Sequence, residues 1–312
     1  HDFVKWARSP VNPGLARPVR LVIAPGESFG DASRTLQAHG LIDQPFKFKL
    51  LAHWQKVAAA IKAGEYQMSG TMTPLEILSS LREGNVVLHR VTIPEGFTLV
   101  QVGGRVAEAG LAEESDFTDA ATDAAFAKHM GVPAETFEGY LFPETYFFEF
   151  NTSARAIIAS MTKRFWSVFT PQWQERAKAL GFTVHEVVTL ASIIEKETGI
   201  GAERPIISSV FHNRLKKRIR LASDPTVIYG LKEFDGNLTR QDLTTPTPYN
   251  TYTNYGLPPG PIANPGRESL AAALFPAETD FLYFVAKPDR SHHFSATLAE
   301  HNRAVRKYQL GR

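Results

Sequence analysis

Two glutamates close a largely apolar stretch, FTVHEVVTLASIIEKETG, at residues 182–199. Thr183 and Glu186 have the spacing of a capping box, and Gly199 is a typical helix stop, so the stretch predicts a helix. At about 100° per residue, Glu195 lies on the edge of the apolar arc of this helix. Partial burial there would raise the pKa of the Glu195 carboxyl, as a general acid working near neutral pH requires.

Glu197 offers a second choice of acid, because it flanks the same apolar arc on the other side. Periodicity alone therefore does not choose between the two carboxylates. The helix dipole disfavours a negative charge in the last turn, and this favours Glu195 as the acid. An ordinary helix with a solvated, charged end is the alternative interpretation of this stretch.

The composition narrows the class of protein. The chain has 312 residues, enough for two domains, with 43% hydrophobic and 21% charged residues, which is typical of a globular protein. A formal net charge of +2 gives no electrostatic basis for binding nucleic acid. The sequence has no cysteine, which excludes disulfides, thiolate metal sites and cysteine nucleophiles. No apolar run approaches the roughly 18 residues of a membrane-spanning helix.

Three further patterns resemble catalytic or metal-binding motifs. Residues 26–30, GESFG, fit the nucleophile elbow of hydrolases, but the chain repeats this turn elsewhere without the serine pattern, which argues against a nucleophile. The sequence from His185 begins like a zinc-binding H-E-x-x-H motif, but Thr189 occupies the second ligand position. The adjacent pair His292 and His293 is more typical of a surface than of a site. We therefore expect no metal and no cofactor.

Strand and helix signals follow one another along the chain. Residues 1–19 contain three prolines and little periodicity, and they are interpreted as a linker. Residues 22–41 and 91–111 form an internal repeat of strand, turn and helix, and each copy ends in Gly-Leu. Helices and short strands, which we expect to pair antiparallel, alternate thereafter and end in a hairpin followed by a helix over residues 297–308. The chain therefore predicts an α+β fold.

Three segments interrupt these regular patterns. Residues 138–146, EGYLFPETY, are either a turn packed by its aromatic side chains or a rigid loop that lines a cleft. Residues 244–266 contain no charged residue, six prolines and three tyrosines, so we expect a long functional loop that suits an uncharged, polyhydroxylated ligand such as a glycan. Asn264 and Pro265 have the order of an N-cap and a first helical residue. SDPT at residues 223–226 predicts a turn.

Five separated motifs lie in order along the chain. They are VTIPEG at 91–96, EGYLFPETY at 138–146, LASIIEKE at 190–197, SDPT at 223–226, and YNTY with GLPPGPIANPG between 249 and 266. Together they resemble the MltG (YceG-like) family of endolytic murein transglycosylases. The resemblance implies a small LysM-like strand-helix module at residues 20–90 and an α+β catalytic domain with short antiparallel strands at residues 91–312.

The same resemblance implies a bacterial cell-wall enzyme. We expect a single N-terminal helix, absent from this chain, to anchor it in the inner membrane, with residues 1–19 as the linker after the anchor and the chain in the periplasm. The expected substrate is the peptidoglycan glycan strand, with peptidoglycan synthases as candidate partners and no nucleic acid. Cleavage of the β-1,4 bond between N-acetylmuramic acid and N-acetylglucosamine in nascent strands would leave 1,6-anhydro ends and terminate elongation.

The family's catalytic glutamate falls on Glu195. One carboxyl can act first as acid and then as base, because the muramic C6 hydroxyl attacks its own ring and no activated water is needed. A non-catalytic peptidoglycan-binding scaffold is the alternative function, and a water-using muramidase is a nearer rival that would leave reducing ends. Expected to position the glycan are Tyr140, Glu144, Ser192, Asp224, Thr226, Tyr252 and Asn264.

Overall fold

The computed structural model describes residues 2–311. The chain divides into two compact units: unit 1 consists of the residues up to Arg90 together with Phe147–Thr152, and unit 2 consists of Val91–Tyr146 together with the chain from Ser153 onward. The LysM-like module at 20–90 and the catalytic domain at 91–312 stay predictions. In the structure, Phe147–Thr152 lies inside the predicted catalytic range of 91–312 but belongs to unit 1.

In the described part of unit 1, four helices and a two-stranded antiparallel sheet share one apolar core. Leu21 lies opposite Tyr66 in the sheet, and both side chains are buried with Phe48 and Leu81. The elements are α1 (Asp2–Ala7), β1 (Val19–Ile23), α2 (Phe29–Ala38), α3 (Pro45–Trp54), β2 (Gly64–Met68), α4 (Pro74–Glu83) and β3 (Leu88–Thr92), which carries the chain into unit 2.

Helix α1 lies in the segment that the prolines predict to be a linker. Phe3, Trp6 and Ala7 recur at i, i+3 and i+4, and this face packs on the core of unit 1. The Trp6 indole also donates a hydrogen bond of 2.9 Å to Asp43 Oδ1. The linker interpretation of residues 1–19 therefore misses a packed helix, whose apolar face is visible in the sequence before the first proline.

The internal repeat is confirmed as two strand-turn-helix units. Ser28 caps α2 in unit 1, and Thr98 caps α5 (Leu99–Glu108) in unit 2, each through a side-chain oxygen that accepts a backbone N–H. Gly40 and Gly110 follow the two helices in the left-handed region, with φ of 69° and 68°. Similar local signals thus give the same local structure twice.

Unit 2 combines helices with two-stranded pairings, so the α+β prediction is confirmed. Strands β5 and β6 pair antiparallel, with Val285 opposite His293. Strand β4 pairs with β3, and each of these two strands has residues in both units. After α5 come α6 (Glu114–Ala121), α7 (Ala124–His129), β4 (Thr145–Glu149), α8 (Ala154–Val168), α9 (Pro171–Leu180), α10 (Val184–Glu197), a 3-10 turn (Gly201–Glu203), α11 (Arg204–Lys216), α12 (Asp224–Gly230), α13 (Arg240–Thr244), α14 (Arg267–Leu274), β5 (Tyr283–Ala286), β6 (His292–Ser295) and α15 (Leu298–Gln309).

Helix α10 is buried without interruption from Val187 to Ile194 and packs against α14 and α11. The predicted capping box of Thr183 is present at its start. The helix ends at Glu197, and its C-cap Thr198 is extended, with φ −147° and ψ 137°. Gly199 is the first residue after the cap, so the helix stops where the sequence predicted. Among residues 2–311, no single helix combines the length and the apolar composition that crossing a membrane requires; α9 and α10 do so only as a pair bent by 89°.

Two other local predictions are wrong. Asp224 and Pro225 do not form a simple turn but begin α12, because proline is well tolerated in a first helical turn, where its missing N–H breaks no bond. Asn264 does not cap the next helix, since Gly266 is the N-cap of α14. The Asn264 side chain is instead fully buried.

Thr183→Ala should lower the free energy of unfolding by about 1 kcal/mol, because it removes the side-chain acceptor at the start of α10. Thr98→Ala should cost a similar amount at α5. Urea denaturation followed by circular dichroism measures both changes. Thr118→Ala is the matched control, since that hydroxyl donates only to the Glu114 carbonyl within α6, and it should cost much less. Equal losses at all three positions would contradict the capping argument.

Candidate active site

A polar stripe on α10 holds the long loop that precedes α14. Residues 245–266 contain no helix or strand, so most of their backbone groups need partners from elsewhere. His185, Ser192 and Glu195 recur at i, i+7 and i+10 and therefore lie on one face of α10. They hydrogen-bond the Pro259 carbonyl (3.1 Å), the Ile262 N–H (3.0 Å) and the Gly266 N–H (2.9 Å) respectively.

Glu195 is enclosed by this arrangement. Its side chain is only 6% exposed, and the Arg204 guanidinium donates to Oε1 at 3.1 Å while the Gly266 N–H donates to Oε2. Arg204 also pairs with Glu268 and lies 3.5 Å from Glu95. Both oxygens of Glu195 are thus engaged within the protein.

The surroundings of Arg204 are crowded with carboxylates. Burial, and then the negative charge of Glu195, raise the pKa of Glu95. A Cβ atom at Gly266 would lie 1.9 Å from Glu95 Oε1, so a larger residue there would displace the Glu95 side chain from this position. The ion-pair cluster therefore joins the end of α10, the start of α11 and the start of α14.

Asn264, expected to contact the glycan, belongs to a buried hydrogen-bond network. Its amide donates to Glu138 Oε1 at 3.1 Å, and Glu138 also accepts from the Leu99 N–H and from the Tyr229 hydroxyl. Burial raises the pKa of Glu138 to about 7. The remaining bonds of the Asn264 amide go to the Phe97 carbonyl and the Leu141 N–H. In this conformation Asn264 positions the loop rather than a ligand.

Four other expected glycan contacts are also engaged within the protein. The Tyr140 hydroxyl lies 3.1 Å from His185 Nδ1, and its ring is fully buried, so the packed-turn interpretation of residues 138–146 is the one confirmed. Ser192 donates to the Thr189 carbonyl besides holding the loop. Thr226 donates to the Ser223 carbonyl and is buried, while Glu144 is ion-paired with Arg164 at 2.6 Å.

Glu197 has different surroundings from Glu195, because two residues along a helix turn the side chain by about 200°. Burial raises the pKa of Glu197 to about 7. The Ser223 hydroxyl donates to Glu197 Oε1 and opposes this shift, while the negative charge of Asp224 adds to it. The charges of His292 and Arg214 also lower this pKa. Glu197 is therefore a partly buried carboxyl whose pKa lies near neutrality.

A cleft of about 480 Å³ opens beside Glu197. Asp224 and Tyr252, both expected to position the glycan, line it together, and the Tyr252 hydroxyl donates to Asp224 Oδ1 at 2.5 Å. Burial, followed by this hydrogen bond, raises the pKa of Tyr252. Also lining the cleft are Arg214, Ala222, Tyr283, Phe284, Val285, Ala286, His292, Leu298, His301, Val305 and Gln309.

His292 is a cleft residue that sequence reasoning assigned to the surface. Its side chain is only 9% exposed. Its ring Nδ1 lies 2.7 Å from Glu203 Oε2, and its backbone N–H donates to Glu203 Oε1 at 2.9 Å. An ionised carboxylate can only accept, so Nδ1 carries the hydrogen in this pair. Neither His292 nor Glu203 has a sequence signal, because strand β6 and the 3-10 turn that carry them are distant in the chain.

Among residues 2–311, no group of three or more histidine, aspartate or glutamate side chains could hold a metal ion. The residues that line the cleft supply carboxyl, hydroxyl, imidazole and guanidinium groups. Glu197 can give and take a proton, while Asp224 supplies negative charge and Tyr252 an aromatic face.

The sequence model of the YceG-like family matches residues 21–307, nearly the whole chain. The chain belongs to the YceG-like family. It is 36% identical to the endolytic murein transglycosylase of Bacillus subtilis (strain 168), over 98% of this chain and 89% of that protein. It is 28% identical to the endolytic murein transglycosylase of Streptococcus pneumoniae serotype 2, over 98% of this chain but 61% of that longer protein.

A solved structure of the YceG-like family agrees with this fold. The crystal structure of a yceG-like protein from Listeria monocytogenes superposes with a TM-score of 0.64 at 36% sequence identity. The match covers 93% of this YceG-like chain and 99% of the Listeria chain. The similarity therefore extends over both units and is not confined to one motif.

The raised pKa of Glu197 makes a prediction about stability. The folded protein keeps this proton up to about pH 7, whereas the unfolded chain loses it near 4.5, so unfolding releases a proton between these values and stability falls as pH rises. Glu197→Gln removes this dependence. Between pH 5 and pH 8 the variant should lose about 2 kcal/mol less stability than the wild type, by urea denaturation.

Glu138 also has a raised pKa, so it lowers stability as pH rises in the wild type and in Glu197→Gln alike. Its contribution therefore cancels when the two proteins are compared. Glu113→Gln, at an exposed glutamate before α6, is the control and should follow the wild-type pH dependence. Identical pH dependence in wild type and Glu197→Gln would show that Glu197 ionises normally in the folded protein.

Proposed function

We propose that this chain is an endolytic peptidoglycan lytic transglycosylase. It cleaves the β-1,4 bond between N-acetylmuramic acid and N-acetylglucosamine in nascent glycan strands and leaves 1,6-anhydro ends, which terminates strand elongation. Membership of the YceG-like family and the endolytic murein transglycosylases among its relatives support the reaction class. The observation that carries the proposal is the partly buried carboxyl of Glu197, which lines a cleft together with Asp224 and Tyr252.

A single carboxyl is sufficient for this reaction. Near pH 7 a substantial fraction of Glu197 is protonated, so it can donate its proton to the glycosidic oxygen as the bond to C1 breaks. The C6 hydroxyl of the same muramic ring then attacks C1, and the Glu197 carboxylate takes up the proton that this hydroxyl releases. The attack is intramolecular, so no second carboxyl is needed to activate water.

We assign the acid to Glu197 rather than Glu195 on the basis of their partners. Both Glu195 oxygens already accept hydrogen bonds, one from Arg204 and one from the loop, and a glycosidic oxygen would have to displace them. Glu197 accepts from Ser223 and lines the cleft. The sequence-based assignment to Glu195 stays a prediction, and in our proposal Glu195 positions the loop instead.

The other cleft residues have roles that follow from their chemistry. The reacting ring acquires positive charge at C1, and the Asp224 carboxylate beside Glu197 is suited to stabilise it. The Tyr252 ring offers an apolar face for a sugar, and its hydroxyl fixes Asp224. His292, held by Glu203, offers its remaining ring nitrogen to the glycan or to Glu197.

The cellular setting is proposed from the family resemblance. We place the chain in the bacterial periplasm, attached to the inner membrane by a single N-terminal helix that precedes these residues. Residues 20–90 then act as a LysM-like module that holds the glycan, and peptidoglycan synthases supply the nascent strand. The murein named as the substrate of the relatives supports glycan strands as the ligand.

A pair of conservative variants tests the assignment of the acid. Glu197→Gln should reduce the formation of 1,6-anhydro termini at least about a hundredfold, because the amide cannot donate an acidic proton. Glu195→Gln should keep activity within about tenfold of the wild type, since glutamine retains an acceptor for the Gly266 N–H. It should lower stability, because the buried Arg204 guanidinium loses the negative charge with which it pairs. Mass spectrometry of digested glycan strands measures the products.

The same spectra decide between the rival functions. Loss of activity in Glu195→Gln with full activity in Glu197→Gln would return the acid to Glu195. Reducing muramic ends in place of anhydro ends would indicate a muramidase. Unchanged strands with wild-type protein would indicate the non-catalytic scaffold.

The pH dependence of the rate supplies an independent test. Because Glu197 must be protonated to act, kcat/KM should be level at low pH and fall about tenfold per pH unit above about 7. Ser223→Ala removes the hydrogen bond that lowers the Glu197 pKa, so the falling limb should move to higher pH. Asp224→Asn removes a negative charge and should move it to lower pH. A limb that stays in place in both variants would exclude Glu197 as its origin.

A further inference from the structure

Helix α3 of unit 1 exposes an apolar stripe that the fold does not use. Phe46, Leu50 and Trp54 are 81%, 50% and 67% exposed. They recur at i, i+4 and i+8, so they form one stripe about 80° wide along the helix. The opposite side of the helix is already apolar and buried in the core of unit 1, through Phe48, Leu51 and Ala52.

Basic side chains flank this stripe on both sides. At 100° per residue, Lys47 lies beyond one edge, and His53 and Lys49 lie beyond the other. The segment from residue 44 to residue 64 carries four lysines and neither aspartate nor glutamate. Lysine stems can lie along an apolar surface while their ammonium groups reach outward to anions. The surface therefore combines exposed aromatic and aliphatic groups with positive charge at its edges.

We propose that this stripe docks unit 1 on the surface of an anionic phospholipid bilayer. Phe46 and Leu50 would enter the boundary of the acyl chains, Trp54 would lie at the headgroup level, and the flanking lysines would pair with phosphate groups. The contact is separate from the proposed catalysis, because α3 belongs to unit 1 and Glu197 to unit 2.

The size of the stripe favours a bilayer over a protein partner. A stable protein interface buries roughly 800 Å² on each partner, much more than three side chains provide. An interfacial helix, in contrast, needs only a short apolar face with cationic flanks, since the bilayer adapts to its shape. The four lysines of residues 44–64, with no acidic residue in the same segment, complement an anionic surface.

Vesicle flotation with the full 312-residue chain tests the proposal. The protein should bind vesicles that contain phosphatidylglycerol at low salt, bind less at high salt, and bind at least about tenfold more weakly to pure phosphatidylcholine. The triple variant Phe46→Ser, Leu50→Ser and Trp54→Ser should lose at least about tenfold in binding. It should remain folded, because all three side chains are exposed.

Two further variants separate charge from apolar contact. Replacing Lys47, Lys49 and Lys56 by glutamine should reduce binding to the anionic vesicles by about fivefold for each lysine, with little change for neutral vesicles. Val100→Ser removes a side chain that is 57% exposed on α5 of unit 2, and it should bind as the wild type does.

Several outcomes would overturn the proposal. Wild-type binding by the triple serine variant would place any membrane contact elsewhere. Absence of binding by the wild type to anionic vesicles would exclude the bilayer as the partner. A dimer seen by light scattering, lost in the triple variant without any vesicle binding, would identify the stripe as an interface between copies of the chain.

Discussion

The structure of unit 2 depends on how a long loop without helix or strand satisfies its backbone. Residues 245–266 obtain hydrogen-bond partners from the polar stripe of α10. The same loop also hydrogen-bonds the segment next to the cleft. Within the loop, Thr251 Oγ1 accepts the Ser223 N–H at 3.0 Å, and the Thr251 carbonyl accepts the Ala222 N–H at 3.1 Å. Ser223 in turn donates to Glu197. The loop therefore connects one face of α10 to the carboxyl at its end.

The end of α10 shows how one helix gives two carboxylates different chemistry. Glu195 meets a guanidinium and a backbone N–H, and its charge is balanced within the protein. Glu197 is partly buried beside a hydroxyl and near another carboxylate, and its pKa is raised to about 7. These different environments are the basis on which we propose different roles for the two carboxyl groups.

Local signals in the sequence predicted the elements well. The Thr183 capping box, the repeated strand-turn-helix unit and the proline-rich loop all depend on a few neighbouring residues, and each is present. The spacing of i, i+7 and i+10 that starts at His185 is a local signal for the polar stripe that our sequence-based interpretation missed. It explains Glu195 as a loop contact, whereas the apolar arc alone suggested an acid.

Features that depend on distant residues could not be predicted in this way. The pKa of Glu197 depends first on burial and then on Ser223, Asp224 and His292, which come from different parts of the chain. The helix dipole disfavours the ionised form of Glu197, so it acts in the same direction as the burial that raises this pKa and does not argue against Glu197 as the acid. Asn264 and Tyr140 have side chains that suit a glycan. Both are buried, however, and they form their hydrogen bonds with other residues of the protein.

The discontinuity of unit 1 has a practical consequence for dissecting the protein. Phe147–Thr152 belong with the residues up to Arg90, and the Phe150 ring lies 6.2 Å from the His89 ring. A fragment that stops at Arg90 lacks this segment, and a fragment that starts at Val91 retains it without the residues it packs on. Neither unit can therefore be excised whole by a single cut in the gene, and separating them requires circular permutation or a graft of the six-residue segment.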